Sequence, residues 1–260
     1  RAVIPGHSMV HGDSSGLVTD RYRAYLAARA RGGAAIVGIE SAPVHPESLT
    51  WIGQVELWKD EIVESLAATA RDVHEAGSKL SIILWHGGHN VSYRRGTPAM
   101  APSVKPSVQI GEIPRVMSIK DIKDIIPYYV AAAERCALAG LDVLEVQTSS
   151  DYLLGSFLNP QLNNRTDAYG GIVENRCRIV IEILEAIRAT LPSTVALGIR
   201  TSIYHAIPGE PDGYTIDHSL PAMEYIAASG LIDYLSVMSG SNTNFAETIA
   251  PMTFPRPQIA

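Results

Sequence analysis

The regular succession of short apolar runs and longer helical segments is the feature of this sequence that most restricts its fold. Each apolar run is no longer than about eight residues and is apolar on both faces, which is typical of parallel strands covered by helices. The runs lie at 3–4, 34–39, 80–85, 141–146, 195–199 and 232–238. The pattern therefore predicts an α/β fold built from about six consecutive βα units.

Five helical segments separate these runs, and most of them end at a glycine that can adopt the left-handed conformation. They are predicted at 17–31, 59–76, 118–139, 172–190 and 216–229. Ser118 and Asp121 form a variant of the capping box at the start of the third segment. Pro127 lies inside that segment, so we expect the helix to be kinked or split there.

Two architectures contain βα units in series, the doubly wound sheet and the TIM (β/α)8 barrel. No G-x-G-x-x-G follows any of the predicted strands, which weakens the nucleotide-binding sheet. The longest loops follow the carboxyl ends of strands, where a barrel carries its active site. The sequence therefore favours a TIM (β/α)8 barrel that is incomplete in this chain.

Composition and charge exclude several classes of protein. The formal charge of −6 over 260 residues, without a basic run, argues against nucleic-acid binding. No apolar stretch approaches the roughly 20 residues of a membrane helix. Cys136 and Cys177 form no C-x-x-C pair, which argues against zinc and iron–sulfur sites and for a reducing compartment, the cytoplasm. His86 and His89 have no carboxylate near them in sequence, so no metal site is predicted.

Polar residues at the carboxyl ends of two strands are the first candidates for chemistry. Gln147, Ser150 and Tyr152 follow the fourth strand, where they are either hydrogen-bond donors in a barrel mouth or ordinary loop residues. Arg200 ends the fifth predicted strand, and a buried cation needs either an anionic ligand or a structural salt bridge. The polar segment 164–167 either contacts a ligand or braces its loop.

A long motif in the middle of the chain resembles the old yellow enzyme family, FMN-dependent NADH:flavin oxidoreductases that fold as TIM barrels. The motif comprises residues 152–160, the run Asn164-Arg-Thr-Asp-Ala-Tyr-Gly-Gly171, and Glu174-Asn-Arg176. Further landmarks in family order are residues 29–33, 44–46, 84–86, 101–103 and 139–142. Residues 5–8, 45–48 and 157–160 are most similar to the branch that contains trimethylamine dehydrogenase and the 2,4-dienoyl-CoA reductases.

The resemblance implies roles for particular residues. Arg200 would lie against the N1/C2 carbonyl edge of the flavin, where it stabilises negative charge on the reduced ring. Tyr152 would protonate a substrate carbon. The residues expected to pack beside the ring are Pro5, Gly6, His7, Ser8 and Ser41.

Departures from the family pattern restrict the chemistry that the resemblance implies. Gln147 and Ser150 replace the His and the His or Asn that, in relatives, hydrogen-bond to the carbonyl oxygen of the substrate. Both replacements can still donate hydrogen bonds. Ile83 stands where many relatives have a flavin-binding glutamine. Ser8 replaces the cysteine of trimethylamine dehydrogenase, so FMN is expected to be non-covalent. The Tyr/His/Asp set of trimethylamine dehydrogenase is replaced here by Gln147, Ser150 and Ser236, which argues against amine chemistry.

The resemblance covers nearly the whole chain and implies one FMN-binding barrel domain over 1–260, lacking the last two strands. In the family those strands carry the phosphate site, and the cysteine cluster of this branch would lie beyond them, so no iron–sulfur cluster is expected in this chain. The sequence thus predicts a piece of a longer flavin enzyme that passes a hydride between NAD(P)H and a small organic substrate. A redox-inactive binding or scaffold protein is the alternative, and self-association into a homo-oligomer is left open.

Overall fold

A computed structural model describes residues 2–91, 98–107, 110–207 and 210–240 of the chain. The strands are β1 (Val3–Ile4), β2 (Ile36–Pro43), β3 (Lys79–Trp85), β4 (Met100–Ala101), β5 (Arg115–Val116), β6 (Val143–Gln147), β7 (Ala196–Ile207), β8 (Glu210–Tyr214) and β9 (Tyr234–Ser239). The α-helices are α1 (Asp20–Arg31), α2 (Ile62–Glu75), α3 (Ile119–Leu138), α4 (Leu153–Leu158), α5 (Val173–Thr190) and α6 (Ile216–Ala228). None of the helices in these ranges is both long and apolar enough to cross a membrane.

Six parallel strands form the central sheet, in the order β1-β2-β3-β6-β7-β9. The order follows the chain without reversal, whereas a doubly wound sheet reverses at a switch point. The predicted βα units and the barrel-type order are therefore confirmed. Strand β8 pairs antiparallel with the end of β7, and β4 with β5 forms a separate small sheet.

Alternating residues along the strands divide the molecule into a helix-facing core and a barrel interior. The helix-facing residues are apolar, fully buried and packed with the helices: Leu80, Ile82, Leu84, Leu144, Val146, Leu197 and Ile199. The residues between them face inward and are mixed in character: Ser81, Val143, Glu145, Ala196 and Tyr234 line one cavity of about 310 Å³. The inward-facing side of the strands thus carries polar side chains, whereas the helix-facing side is apolar.

Two aspartates tie neighbouring strands together at the amino end of the sheet. Asp142, just before β6, accepts hydrogen bonds from Leu80 N (2.9 Å) and Lys79 Nζ (2.6 Å). Asp233, just before β9, accepts from Leu197 N at 2.8 Å. Each carboxylate therefore fixes the register of its own strand against the preceding one.

Two sequence expectations need correction, and one helix was not predicted. Helix α3 is a single helix through Pro127, so of the expected kink or split the split is wrong; the proline lies on the exposed face, where water can hydrate the carbonyl that loses its partner. Strand β7 continues past Arg200 to Ile207, so Arg200 lies within the strand rather than at its end. Helix α4 was not predicted, because all its residues are buried and it has no polar face to reveal a helical period.

Candidate active site

The loop after β1 lies directly on the second strand, and Gly6 makes this contact feasible. A Cβ on Gly6 would lie 1.8 Å from the carbonyl oxygen of Ile39, and one on Gly38 would lie 2.3 Å from Gly6 N. Neither position therefore has room for a side chain. The predicted ring-facing residues Pro5, His7 and Ser8 are exposed, and His7 Nε2 is 3.2 Å from Tyr25 Oη.

Ser41 and Ile83 are register partners on β2 and β3, at the level of this loop. Ser41 is partly buried, while Ile83 is 2% exposed. The Cδ1 atom of Ile83 is 3.1 Å from the Cβ that Gly6 would carry, so the isoleucine packs under the loop. It offers an apolar surface there and no hydrogen bond.

Gln147 and Arg200 are register partners on β6 and β7. The Gln147 amide nitrogen donates to Ser149 Oγ at 2.7 Å. Its Oε1 is buried and, among the described residues, has no hydrogen-bond partner; the same holds for Arg200 Nη1. One acceptor and one donor are thus buried at the same level of the sheet without hydrogen-bond partners within the described chain, and a ligand at this place would satisfy them.

Glu145, Arg200 and Tyr234 form an interior cluster one step deeper in the barrel. The Tyr234 hydroxyl donates to Glu145 Oε1 at 3.2 Å, and Arg200 Nη1 is 3.7 Å from Glu145 Oε2. Burial raises the pKa of Glu145, although Arg200, Tyr234 and Ser236 oppose that rise. The carboxylate is therefore held in an environment that only partly compensates its charge.

Ser150 and Tyr152 lie where the chain leaves β6. Ser150 adopts φ 56°, a left-handed conformation that costs a non-glycine residue about 1–3 kcal/mol. Its N–H donates to Ser202 Oγ at 2.9 Å, and its hydroxyl to the Gly240 carbonyl at 3.4 Å. The Tyr152 ring packs edge-on against Trp85, with ring centroids 5.3 Å apart. The strained turn fixes both side chains at the mouth.

The histidines that follow β3 are held by the backbone. His86 Nδ1 accepts from Gly88 N at 3.1 Å, and burial together with His45 lowers the pKa of His86 to about 3, so the ring is neutral. His89 Nδ1 is 3.0 Å from the Lys105 carbonyl oxygen. Within the described ranges, no three potential metal ligands of the His, Cys, Asp or Glu type converge.

The motif that carries the family resemblance is a structural brace. Asn163 donates to the carbonyls of Phe157 and Tyr169, both at 2.8 Å. Arg165 pairs with both oxygens of Asp167 and donates to two further carbonyls. Arg176 Nε donates to the Leu158 carbonyl at 2.9 Å. Within the polar segment 164–167, Arg165 and Asp167 thus brace the loop.

Sequence reasoning assigned no role to Glu145, Gly198 or Tyr234. A glutamate and a glycine inside otherwise apolar strands were the available signals, because each breaks an apolar run. Tyr234 gave no such signal, since its partner Glu145 is 89 residues away.

The fold and the mouth together define a parallel α/β-barrel domain, with its polar groups collected at the carboxyl ends of the strands. The sequence model of the NADH:flavin oxidoreductase / NADH oxidase family matches residues 1–252. The chain therefore belongs to this family of FMN-dependent oxidoreductases.

Solved structures agree with this assignment. The old yellow enzyme of a Pichia species is 25% identical, with a TM-score of 0.80, over 91% of this chain and 67% of its own. The old yellow enzyme homologue of Zymomonas mobilis is also 25% identical, with a TM-score of 0.81, over 93% and 70%. A 2-naphthoyl-CoA reductase, solved with 2-naphthoyl-CoA, is 26% identical with a TM-score of 0.83 over 93% of this chain but 38% of its own. The predicted TIM-barrel class and enzyme class are confirmed.

Proposed function

We propose that this chain is a single FMN-binding barrel domain that reduces an activated double bond of a small carbonyl compound at the expense of NAD(P)H. The observation that carries the proposal is the buried atom Arg200 Nη1, which has no hydrogen-bond partner among the described residues and lies 3.7 Å from its ion-pair partner, Glu145 Oε2. The pyrimidine half of an isoalloxazine ring offers carbonyl acceptors that fit a guanidinium donor. Gln147 Oε1 is also buried without a hydrogen-bond partner in the described part of the chain, at the same level of the sheet, and its side chain is assigned to the substrate.

The surroundings of these two atoms also suit a flat ring. The Gly6 loop and Ile83 give an apolar wall, and the absent side chain of Gly6 keeps the loop against β2. Ile83 supplies no hydrogen bond where many relatives have a glutamine, so Arg200 would carry a larger part of ring recognition. Ser8 has no thiol, which supports non-covalent binding.

Bound FMN would supply hydride transfer from the nicotinamide to the substrate. Arg200 would hold its positive charge against the developing negative charge of the ring edge. Gln147 and Ser150 would orient the substrate oxygen, for which both must exchange the internal hydrogen bonds that they make to Ser149 and Gly240. Tyr152 would hold the proton for the substrate carbon, positioned by its packing against Trp85.

Similarity to the 2-naphthoyl-CoA reductase supports a substrate in which a carbonyl withdraws electrons from the bond that is reduced.

Reconstitution with FMN tests the cofactor. The full-length protein should take up FMN, show flavin absorbance and bleach on anaerobic addition of NAD(P)H. Arg200→Ala should weaken FMN binding by about tenfold or more. Arg188→Ala is the matched control, since Arg188 pairs with Asp233 at the amino end of the sheet. Absence of flavin absorbance after reconstitution would reject the enzyme in favour of a binding or scaffold protein.

A second experiment tests the proton donor. Tyr152→Phe should slow reoxidation of reduced enzyme by an activated enone by about 10²-fold or more, while flavin reduction by NAD(P)H is unchanged. Tyr129→Phe is the control, because Tyr129 is a fully buried tyrosine on α3. Equal reoxidation rates in both variants would remove Tyr152 from the mechanism.

A further inference from the structure

The interior cluster contains a buried glutamate, Glu145, whose presence is not explained by a contribution to stability. The side chains of Glu145 and Arg200 are 12% and 16% exposed, and their closest atoms are 3.7 Å apart, longer than a hydrogen bond. Glu145 Oε2 and Arg200 Nη1 are both buried without a hydrogen-bond partner among the described residues. A buried ion pair with incomplete hydrogen bonding does not recover the cost of removing its charges from water.

The sequence nevertheless makes room for this arrangement. Glu145, Gly198 and Tyr234 are register partners across β6, β7 and β9. A Cβ on Gly198 would lie 2.5 Å from Cζ of Tyr234, so the ring lies across the glycine. From there the Tyr234 hydroxyl crosses β7 to reach the carboxylate of Glu145. A side chain at position 198 would block this contact.

We infer that Glu145 is a positioning residue for Arg200: its carboxylate, held by the Tyr234 hydroxyl, fixes the guanidinium and offsets part of its charge. The inference rests on the proposed function, because its consequence is felt by a flavin beside Arg200. Glu145 lies two residues before Gln147 on β6, one inward-facing level deeper than the register pair Gln147 and Arg200, and its Oε2 atom is 3.7 Å from Arg200 Nη1.

The charge of Glu145 has a predictable effect on the flavin. A guanidinium favours the reduced, negatively charged ring, and a carboxylate behind the guanidinium weakens that preference. Glu145 should therefore keep the midpoint potential of bound FMN lower than Arg200 alone would set it.

The test measures the midpoint potential of the full-length, FMN-loaded protein in Glu145→Gln and in Glu182→Gln. The control is matched, since Glu182 also accepts from a tyrosine, Tyr169, and pairs with a cation, Lys123, but lies in the helix layer. Glu145→Gln should raise the preference for reduced over oxidised FMN about tenfold, or about 30 mV for a two-electron couple. Glu182→Gln should leave it unchanged.

An unchanged or lower potential in Glu145→Gln would overturn the inference. If that variant does not fold, Glu145→Asp replaces it; its shorter side chain withdraws the carboxylate, so a smaller rise is expected, and a wild-type potential would overturn the inference.

A failure of FMN binding would count against the proposed function and is separable from this inference. In that case urea unfolding of the wild type, Glu145→Gln, Arg200→Gln and the double variant gives a double-mutant cycle. The cycle measures the coupling between the two side chains without cofactor. Coupling of about fivefold or more in the unfolding constant supports the positioning role, and additivity overturns it.

Discussion

The same three chemical groups, a carboxylate, a phenol and a cation, meet at two places in the part of the chain that the structure describes. The interior cluster joins Glu145, Tyr234 and Arg200 inside the strands. An outer cluster joins Glu182, Tyr169 and Lys123 in the helix layer, with Tyr169 Oη 3.0 Å from Glu182 Oε2 and Lys123 Nζ 2.7 Å from Oε1.

The two clusters differ in contacts and in exposure. The outer carboxylate is bonded through both oxygens, and the Lys123 side chain is 52% exposed. The interior cluster leaves a carboxylate oxygen and a guanidinium nitrogen 3.7 Å apart, both without hydrogen-bond partners among the described residues. The outer cluster is thus suited to holding the fold, while the interior one keeps charge available for a ligand. Four experiments test this division, in descending order of expected effect.

Removing each tyrosine ring should affect stability unequally. Tyr169 is 3% exposed and belongs to the main apolar core, so Tyr169→Ala should lower the free energy of unfolding by about 3–5 kcal/mol. Tyr234 is half-buried at the wall of the interior cavity, so Tyr234→Ala should cost about 1–2 kcal/mol. Urea unfolding measures both. Equal losses would show that the interior cluster also holds the fold.

Filling the space at Gly198 should disturb the interior cluster alone. Gly198→Ala places a methyl group 2.5–2.8 Å from three Tyr234 ring atoms, and we expect a loss of about 1–3 kcal/mol. Tyr234→Leu should relieve this loss in the double variant, which a double-mutant cycle detects. Strict additivity would mean that the ring does not lie over the glycine in solution.

The pH dependence of stability should separate two carboxylates that are three residues apart. Burial raises the pKa of Asp142, but hydrogen bonds from Lys79, Leu80 and His74 lower it further than burial raises it. Since the folded pKa of Asp142 lies below its ordinary value of 3.8, its stabilisation is present above pH 3.8 and is lost as the pH falls through the folded value.

Asp142→Asn should therefore cost about 1–2 kcal/mol at neutral pH and progressively less below pH 3.8. Glu145 has the opposite sign, because burial raises its folded pKa above 4.5 and stability is lost as the pH rises through that folded value. As the pH rises through the folded pKa of Glu145, the stability of Glu145→Gln should therefore increase relative to that of the wild type. Unfolding midpoints measured over a pH series that runs from acid to neutral and beyond follow both trends. Parallel curves for the two variants would contradict these assignments.

The smallest effect should come from the exposed ion pair of the outer cluster. Lys123→Met removes a cation that is half in solvent, so we expect a loss of about 0.2–1 kcal/mol that shrinks further at high salt. Thermal unfolding at low and high salt measures it. A loss above that range would indicate that the lysine braces the loop around Tyr169.

Most of the scaffold was predictable because its signals are local. Ser118 and Asp121 cap α3 as their spacing predicts, and the apolar runs coincide with the strands to within a few residues. The path of β7 beyond Arg200 was not predictable, because its continuation pairs with β8 and β9, which come later in the chain.

The candidate site was predictable only where a resemblance supplied it. Gln147, Ser150, Tyr152 and Arg200 could be named from strand ends and from the family pattern, and their roles remain proposals. The partnership of Glu145 with Tyr234 could not be named, because it depends on a glycine in an intervening strand and on a separation of 89 residues.

The two aspartates at the amino end of the sheet have a practical consequence for engineering. Asp142 and Asp233 fix strand register from below, far from the loops that follow the strands. A loop at the mouth can therefore be exchanged for one of another length without shifting the inward and outward faces of its strand. If the proposed function holds, we expect such grafts to change the substrate range, provided that the turn holding Ser150 is kept.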